Sequence, residues 1–277
     1  MKIREALNKG SNILKESDIE YFKEDALELL SVILNTDKIN IILNGEESLD
    51  DDKEQQYFNF IKRRSEKEPL KYITGYADFF GLVLKVKNGV LIPRVDTETL
   101  VEEVIAIKKE KKNILDMCCG SGAIGIALAK NIEGSEVILA DISEVAEEVT
   151  KENIVRLDID NAKFIHSNLF ENIGSNKFDV IVSNPPYIRT DVIDTLMEDV
   201  KDYEPHLALD GGTDGLYFYN KITKEASKYL SEGGYLCYEI GYDQGDDLRI
   251  LMEEQGFKDV RIIEDLAGND RVAIGHL

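Results

Sequence analysis

The sequence has few of the residues that build metal sites and disulfide frameworks, and it has no long apolar segment. Only three cysteines and three histidines occur in 277 residues, and the adjacent pair Cys118 and Cys119 lacks metal-site spacing. We therefore expect no structural metal and buried, reduced thiols. No apolar run approaches the ~20 residues that span a bilayer, and the charged start of the chain is unlike a signal peptide. These absences predict a cytoplasmic protein with no membrane partner.

Positive charge is also scarce. The chain has 33 Lys and Arg against 54 Asp and Glu, a net charge of −21. This balance disfavours a protein that binds nucleic acid through many phosphate contacts, and it favours a basic or neutral partner such as another protein. We predict a monomer with no stable nucleic-acid partner.

The first 75 residues predict a domain of helices. Apolar residues recur at helical spacing in 26–34 and again in 57–61. This segment has no glycine loop, so we expect it to pack or to recognise a partner. Residues 76–93 predict a β-hairpin linker, with strands at 78–86 and 89–92 and a turn at Lys87-Asn88.

Residues 94–277 predict an α/β domain, because strand and helix patterns alternate after Asn113. A last pair of strands, with a polar turn between them, predicts a closing antiparallel hairpin on a sheet of parallel strands. The predicted strands are 113–116, 136–140, 162–166, 178–183, 235–240, 260–264 and 271–275.

A glycine-containing turn follows the first of these strands. The turn begins after Asp116 and Met117 and consists of Cys118, Cys119, Gly120, Ser121 and Gly122, which we call the glycine loop. Glycines let a ligand approach the backbone, and the following helix offers free N–H groups. Asp141, about 20 residues on, follows the next strand, where a carboxylate can accept both hydroxyls of a ribose. The combination predicts a nucleoside cofactor.

The residues Asn184-Pro185-Pro186-Tyr187, which we call the corner, directly follow a strand. Two successive prolines cannot continue a strand or a helix, so their carbonyls stay outside the sheet beside the Asn184 side chain. Such acceptors suit the NH₂ of a planar amide or aromatic amine, and Tyr187 adds a flat face for stacking. An ordinary strand-ending turn is the alternative for this motif taken alone.

The glycine loop and the corner together predict S-adenosylmethionine as the cofactor. Aligned on Cys118, the loop lacks the first glycine of the nicotinamide fingerprint. An acidic residue before the loop and the later Asn-Pro-Pro-Tyr favour S-adenosyl-L-methionine, with S-adenosyl-L-homocysteine as the product. Asn168 and Leu169, after the third strand, would then lie near the adenine, although Asn168 is equally typical of a simple turn.

At these residues the chain resembles the protein-(glutamine-N5) methyltransferases, specifically the bacterial enzymes that methylate peptide chain release factors. The resemblance runs almost end to end, and Asn-Pro-Pro-Tyr alone is shared with N6-adenine DNA methyltransferases. The more specific segments are 69–75, 91–94 with Thr97 and Glu98, 203–205, 208–209, 211–216 and 265–271.

The resemblance implies a Rossmann-like class I methyltransferase with a seven-stranded mixed sheet, an N-terminal helical domain that recognises the substrate, and a connecting hairpin. The implied substrate is the glutamine of a Gly-Gly-Gln loop in class I release factors; a close relative modifies a ribosomal protein. Asn184 and the Pro185 carbonyl would accept the amide hydrogens, and Tyr187 would pack over the amide. Arg94 and Glu98 would either close the cofactor pocket or form structural salt bridges.

The chain departs from the family pattern at Cys118, where a glycine is usual, at Cys119, and at Val95-Asp96. If position 118 needs a positive φ, a cysteine there costs ~1 kcal/mol or more. We expect cofactor binding to survive. Three other functions stay open: glutamine methylation of a ribosomal protein, N6-adenine methylation of DNA, and a binding module without catalysis.

Overall fold

The computed structural model describes residues 1–108 and 113–277. Within them the chain divides into two units. The first contains residues 1–75 and 197–203, and the second contains 76–196 and 204–277. The sequence assigned 197–203 to the methyltransferase domain, whereas the structure groups this short segment with the helical unit.

The first unit is a bundle of helices. In its core, Gly10 lets two helices approach closely, since a Cβ there would lie 2.2 Å from the Tyr57 hydroxyl oxygen. Tyr57 is fully buried, and its hydroxyl donates to the Ala26 carbonyl at 3.3 Å. The helices are α1 (Ile3–Glu16), α2 (Phe22–Leu34), α3 (Lys38–Leu43), α4 (Asp51–Ser65) and α5 (Leu70–Thr74), with α9 (Glu198–Lys201) from the later segment.

The second unit begins with a β-hairpin whose position differs from the prediction. Strands β1 (Tyr76–Phe79) and β2 (Leu82–Lys85) pair antiparallel. Phe80 and Gly81 connect them with φ of 48° and 73°, the left-handed pair that a tight two-residue hairpin turn requires. The hairpin is therefore not turned at Lys87-Asn88 as predicted, because Gly81 already reverses the chain. A turn does lie there, with Val90 N donating to the Lys87 carbonyl at 3.3 Å, but it follows the hairpin and does not connect its strands.

The rest of this unit is built on a mixed seven-stranded sheet in the order β5-β4-β3-β6-β7-β9-β8. The first five are parallel, and β9 is antiparallel to both of its neighbours. This architecture confirms the predicted fold class. The strands are β3 (Asn113–Met117), β4 (Glu136–Asp141), β5 (Ala162–His166), β6 (Phe178–Ser183), β7 (Leu230–Glu239), β8 (Lys258–Glu264) and β9 (Asp270–His276).

Helices cover both faces of the sheet, since successive strand residues point to opposite sides. In β3, Ile114 joins the core formed with α6 and α7, whereas Leu115 joins the core formed with α11 and α12. The helices are α6 (Glu98–Ala106), α7 (Ala123–Asn131), α8 (Glu144–Arg156), α10 (His206–Leu209), α11 (Tyr217–Tyr229) and α12 (Gly245–Glu254), with short 3₁₀ turns at Val95–Thr97 and Thr190–Thr195.

The strand order has a switch point at β3. The chain runs from β3 outward through β4 to β5, and then returns to place β6 on the other side of β3. Loops that follow β3 and β6 diverge at such a point and leave a crevice beyond the carboxyl ends of the strands. The glycine loop and the corner are these two loops.

Candidate active site

A cleft of about 980 Å³, including its open mouth, lies beyond the carboxyl ends of β3, β4 and β6. The cleft is lined by residues 89–91, 93, 94, 97, 117–121, 123, 124, 140–143, 146, 167–169, 184, 186, 205, 207, 208 and 218.

The glycine loop forms one wall through its backbone. Cys118, Gly120 and Gly122 all have left-handed φ, of 61°, 55° and 81°. A Cβ added to Gly120 would meet no atom within 4 Å, so open space lies in front of this residue. Gly122 instead lies against neighbouring side chains and outside the wall. The loop can therefore present backbone to a ligand at Gly120.

Cys118 occupies a conformation that disfavours any residue with a Cβ. Its φ of 61° meets the condition under which the sequence predicted strain, and the left-handed region costs roughly 1–2 kcal/mol for an L-residue. Burial also raises the pKa of the Cys118 thiol well above its ordinary value. This cysteine therefore contributes a neutral thiol and a strained backbone to the wall.

Asp141 connects the loops that follow β3 and β4. Its Oδ2 accepts from Gly120 N at 2.9 Å, and its Oδ1 accepts from Ser143 N at 2.9 Å. Burial raises the pKa of this carboxyl group, and the backbone donors partly oppose the rise. Each carboxylate oxygen keeps a second lone pair, so Asp141 can also accept from a ligand in the cleft.

Asp116 lies behind the glycine loop and outside the wall. It is fully buried, and its Oδ2 accepts from Gly125 N at 2.8 Å, which attaches the start of α7 to β3. No hydrogen-bond partner among the described residues reaches its Oδ1. Burial raises the pKa of Asp116 to about 8. Its predicted role in cofactor binding stays a prediction, and its observed contact is with the protein backbone.

Two side chains of α8, which the sequence analysis missed, hold the glycine loop from outside. Thr150 Oγ1 donates to the Gly120 carbonyl at 3.0 Å. Asn153 Nδ2 donates to the carbonyls of Ser121 and Lys85, both at 3.0 Å, and its Oδ1 accepts from Lys85 N at 2.7 Å. Asn153 therefore joins the loop to the hairpin. Neither Thr150 nor Asn153 belongs to a sequence motif that would have revealed this role.

Asn184 lies in the opposite wall, at the end of β6. Ser183, just before it, donates from Oγ to the Met117 carbonyl at 2.7 Å and fixes the strand end. Asn184 is partly exposed, and within residues 1–108 and 113–277 its carboxamide forms no hydrogen bond. Pro186 also lines the cleft, whereas Pro185 is buried outside its wall. The free carboxamide is thus available to a ligand.

Tyr187 is not among the residues that line the cleft. Its ring packs against the core shared with α11 and α12, and its hydroxyl donates to Glu239 Oε1 at 3.3 Å. Its carbonyl accepts from Gln244 Nε2 at 3.1 Å. The predicted stacking of its ring on a bound amide stays a prediction, and the observed contacts anchor the corner.

The remaining predicted residues divide between the wall and the scaffold. Arg94 lines the cleft and forms an ion pair with the buried carboxylate of Glu204. Glu98 lies outside the wall and accepts from Phe80 N at 2.7 Å, which secures the hairpin turn. Asn168 and Leu169 both line the cleft, and the exposed amide of Asn168 donates to Glu171 at 2.8 Å.

Several wall residues had no predicted role. Leu91, Pro93 and Thr97 line the cleft from the segment after the hairpin, and Leu207 and Phe218 line it from the region after the corner. The only sequence signal for the first three was their place in the family resemblance.

Among the described residues no group of three or more His, Cys, Asp or Glu side chains could hold a metal ion. No described helix is long and apolar enough to cross a membrane.

The comparisons with known proteins divide the chain in the same way as the resemblance. The profile of the Methyltransferase small domain matches residues 94–213, and that of the PrmC N-terminal domain matches residues 5–75. Among solved structures, a methyltransferase from Pyrococcus furiosus aligns with a TM-score of 0.54 over 71% of this chain and 89% of that one. At 19% identity this likeness shows the fold alone.

Curated relatives match almost end to end. A Release factor glutamine methyltransferase of Clostridium botulinum is 45% identical, covering 98% of this chain and 98% of its own length. The protein of the same name from Clostridium acetobutylicum is also 45% identical, covering 99% and 98%. The resemblance found in the sequence is confirmed, and the protein is a methyltransferase that belongs to the release factor glutamine methyltransferase family.

Proposed function

We propose that this protein transfers a methyl group from S-adenosyl-L-methionine to the side-chain N5 of the glutamine in the Gly-Gly-Gln motif of class I peptide chain release factors. One observation carries the proposal: the unpaired carboxamide of Asn184 faces a cleft whose other wall is a glycine loop with an acidic neighbour. The names of the full-length relatives support the substrate. Release factors act in the cytoplasm, where we place the reaction.

The residues of the cleft fit S-adenosyl-L-methionine. The open space before Gly120 would admit a ligand to the backbone, and Asp141 has acceptor capacity left for ribose hydroxyls. The glycine loop would hold the methionyl end, and Asn168 and Leu169 would border the adenine. When bound, the cofactor supplies an electrophilic methyl group on a positively charged sulfur.

The corner would hold and orient the substrate amide. Asn184 Oδ1 and the Pro185 carbonyl would accept the two amide hydrogens, since neither atom has a partner among the described residues. An amide nitrogen is a poor nucleophile because its lone pair is delocalised, and it gains positive charge as the new N–C bond forms. Acceptors fixed against the two hydrogens stabilise that charge more in the transition state than in the ground state.

Positioning of the substrate amide against the methyl group would supply the rest of the rate enhancement. A reacting pair held at the right distance and angle saves much of the entropic cost of the encounter. The walls supply such rigidity: the corner contains two prolines, and the glycine loop is fixed by Asp141, Thr150 and Asn153.

The test is mass spectrometry of an intact release factor after incubation with the purified protein and S-adenosyl-L-methionine. We expect the glutamine of Gly-Gly-Gln to gain the mass of one CH₂ unit, because the methyl group replaces one amide hydrogen that leaves as a proton, and we expect no gain when that glutamine is replaced by alanine. Parallel reactions contain ribosomal proteins and plasmid DNA. Modification of either in place of the release factor would refute the proposed substrate.

A further inference from the structure

The corner is held at both ends by groups outside its own motif. Before Asn184, the hydroxyl of Ser183 fixes the end of β6. After it, Ile188 N donates to the Leu209 carbonyl at 3.0 Å, and the Tyr187 carbonyl accepts from Gln244. The two prolines between these anchors have restricted φ. The direction of the Asn184 side chain therefore depends on where the anchors hold the backbone.

Gln244, just before α12, contacts three separate backbone segments. Its Nε2 donates to the Tyr187 carbonyl at 3.1 Å and to the Gly215 carbonyl at 3.4 Å. Its Oε1 accepts from Gly241 N at 2.8 Å. Gln244 is only 6% exposed. A buried amide that uses both of its ends in this way fixes the segments it connects, because each unpaired group would cost about 1–3 kcal/mol.

The glycines of segment 211–215, which the family resemblance singled out without a role, lie directly against the corner. A Cβ on Gly211 would come within 2.7 Å of Tyr187 Cα, and one on Gly215 within 2.5 Å of the Tyr187 carbonyl oxygen. The Gly215 Cβ would also lie 2.7 Å from Gln244 Nε2. Only residues without a side chain fit there, so the segment forms a close backing for Tyr187.

We infer that Gln244 is a positioning residue for methyl transfer: it holds the Tyr187 carbonyl and thereby sets the orientation of Asn184 toward the substrate amide. This inference rests on the proposed function. Gln244 lies outside the cleft wall, so it acts through the corner and touches neither substrate nor cofactor. A displacement of about 1 Å at a reacting group can cost on the order of 10²-fold in rate.

The test uses Gln244→Glu. This variant keeps the side-chain shape and the oxygen that accepts from Gly241 N, but it replaces the Nε2 group that donates to Tyr187 and Gly215 with an oxygen. The carbonyl oxygens of Tyr187 and Gly215 then face a carboxylate oxygen that has no hydrogen to donate. We expect kcat to fall on the order of 10²-fold, while the dissociation constant of S-adenosyl-L-methionine, measured by calorimetry, stays within about threefold. The matched control is Gln255→Glu, an exposed position just after the same helix, which should leave kcat unchanged.

A pH profile separates positioning from a general loss of structure. The introduced carboxyl is buried beside two carbonyls, so its pKa is raised, and when protonated it can again donate to Tyr187. The ratio of variant to wild-type kcat should therefore rise as the pH falls. A ratio that is low and independent of pH, or a loss of cofactor binding in parallel, would overturn the inference.

Hydrogen exchange supplies a readout that needs no activity. The amides of 187–189 should exchange faster in Gln244→Glu and stay at the wild-type rate in Gln255→Glu. Equal rates in both variants would refute the role of Gln244. Failure of the proposed function would appear separately, as a wild-type protein that does not methylate release factors while the exchange difference persists.

Discussion

The glycine loop and the corner follow neighbouring parallel strands, β3 and β6, but they are built in opposite ways. The loop uses left-handed backbone, and Gly120 faces open space. The corner uses two prolines, which have no N–H, and offers acceptors at Asn184. Under the proposed function, the loop wall would hold the cofactor and the corner wall would orient the amide.

The two loops also differ in how they are held. The glycine loop is fixed by residues close to it in the βαβ unit, namely Asp116, Asp141 and Thr150. The corner is fixed by Glu239 and Gln244, which come more than fifty residues later in the chain. Cofactor binding should therefore depend on local sequence, and catalysis should depend on distant contacts as well.

Asn184→Ala removes the side-chain acceptor of the corner and should have the strongest effect on turnover. Removing the acceptor should lower kcat on the order of 10³-fold, while the cofactor dissociation constant should stay within a few-fold because the contact matters mainly in the transition state. Single-turnover kinetics and calorimetry measure the two quantities. Asn176→Ala, at an exposed asparagine, is the matched control. Near-normal turnover in Asn184→Ala would contradict the division of roles.

Asp116→Asn tests the protonation state of the buried carboxyl group that lies behind the glycine loop. The pKa of Asp116 is raised from 3.8 to about 8, so between these pH values the folded protein keeps a proton that the unfolded chain releases. This contribution to stability is fully present below about pH 4 and is lost as the pH rises toward about 8. The side chain introduced by Asp116→Asn does not titrate, so the variant lacks this pH-dependent contribution to stability.

The free energy of unfolding of Asp116→Asn, relative to wild type, should therefore increase with pH across this window by up to about 1.4 kcal/mol per pH unit. Urea unfolding at a series of pH values measures it. Asp160→Asn, at an exposed site, is the matched control. A flat difference for Asp116→Asn would mean that its carboxyl is ionised in the folded state.

Asp141→Asn tests the glycine-loop wall through cofactor binding. The amide keeps one acceptor oxygen, so one of the donors Gly120 N and Ser143 N loses its partner and the ribose loses a charged acceptor. We expect cofactor affinity to fall about tenfold, the loss of one hydrogen bond to a charged group, with kcat at saturating cofactor largely retained. Glu144→Gln is the control at an exposed acidic residue nearby. An unchanged dissociation constant would argue against this pocket.

Cys118→Gly has the smallest expected effect. Relief of the positive φ should stabilise the fold by about 1 kcal/mol or more, and the greater freedom of glycine in the unfolded chain offsets about 0.5–1 kcal/mol of that gain. Cys118→Ala removes the thiol but keeps the strain, so it is the matched control. Thermal unfolding of the two variants compares them; a glycine variant less stable than the alanine variant would show that the cysteine is not strained.

The sheet could be predicted strand by strand because its buried parallel strands are short apolar runs bounded by turn residues. The strand ends then located Asp141 and Asn184, since the carboxyl ends of neighbouring strands share one edge. The hairpin was misplaced because residues 78–86 form a continuous extended pattern. Only the left-handed φ at Phe80 and Gly81 shows where it folds back.

The fold class, the family and the two loops at the cleft could be predicted from the sequence alone, because these follow from residue types and their spacing over short stretches. Tertiary structure decided which predicted residues reach the cleft: Asp116 and Glu98 hold backbone behind it, and Tyr187 turns toward Glu239. It also brought Gln244 to the corner. Such roles depend on packing between segments far apart in the chain, for which local pattern carries no signal.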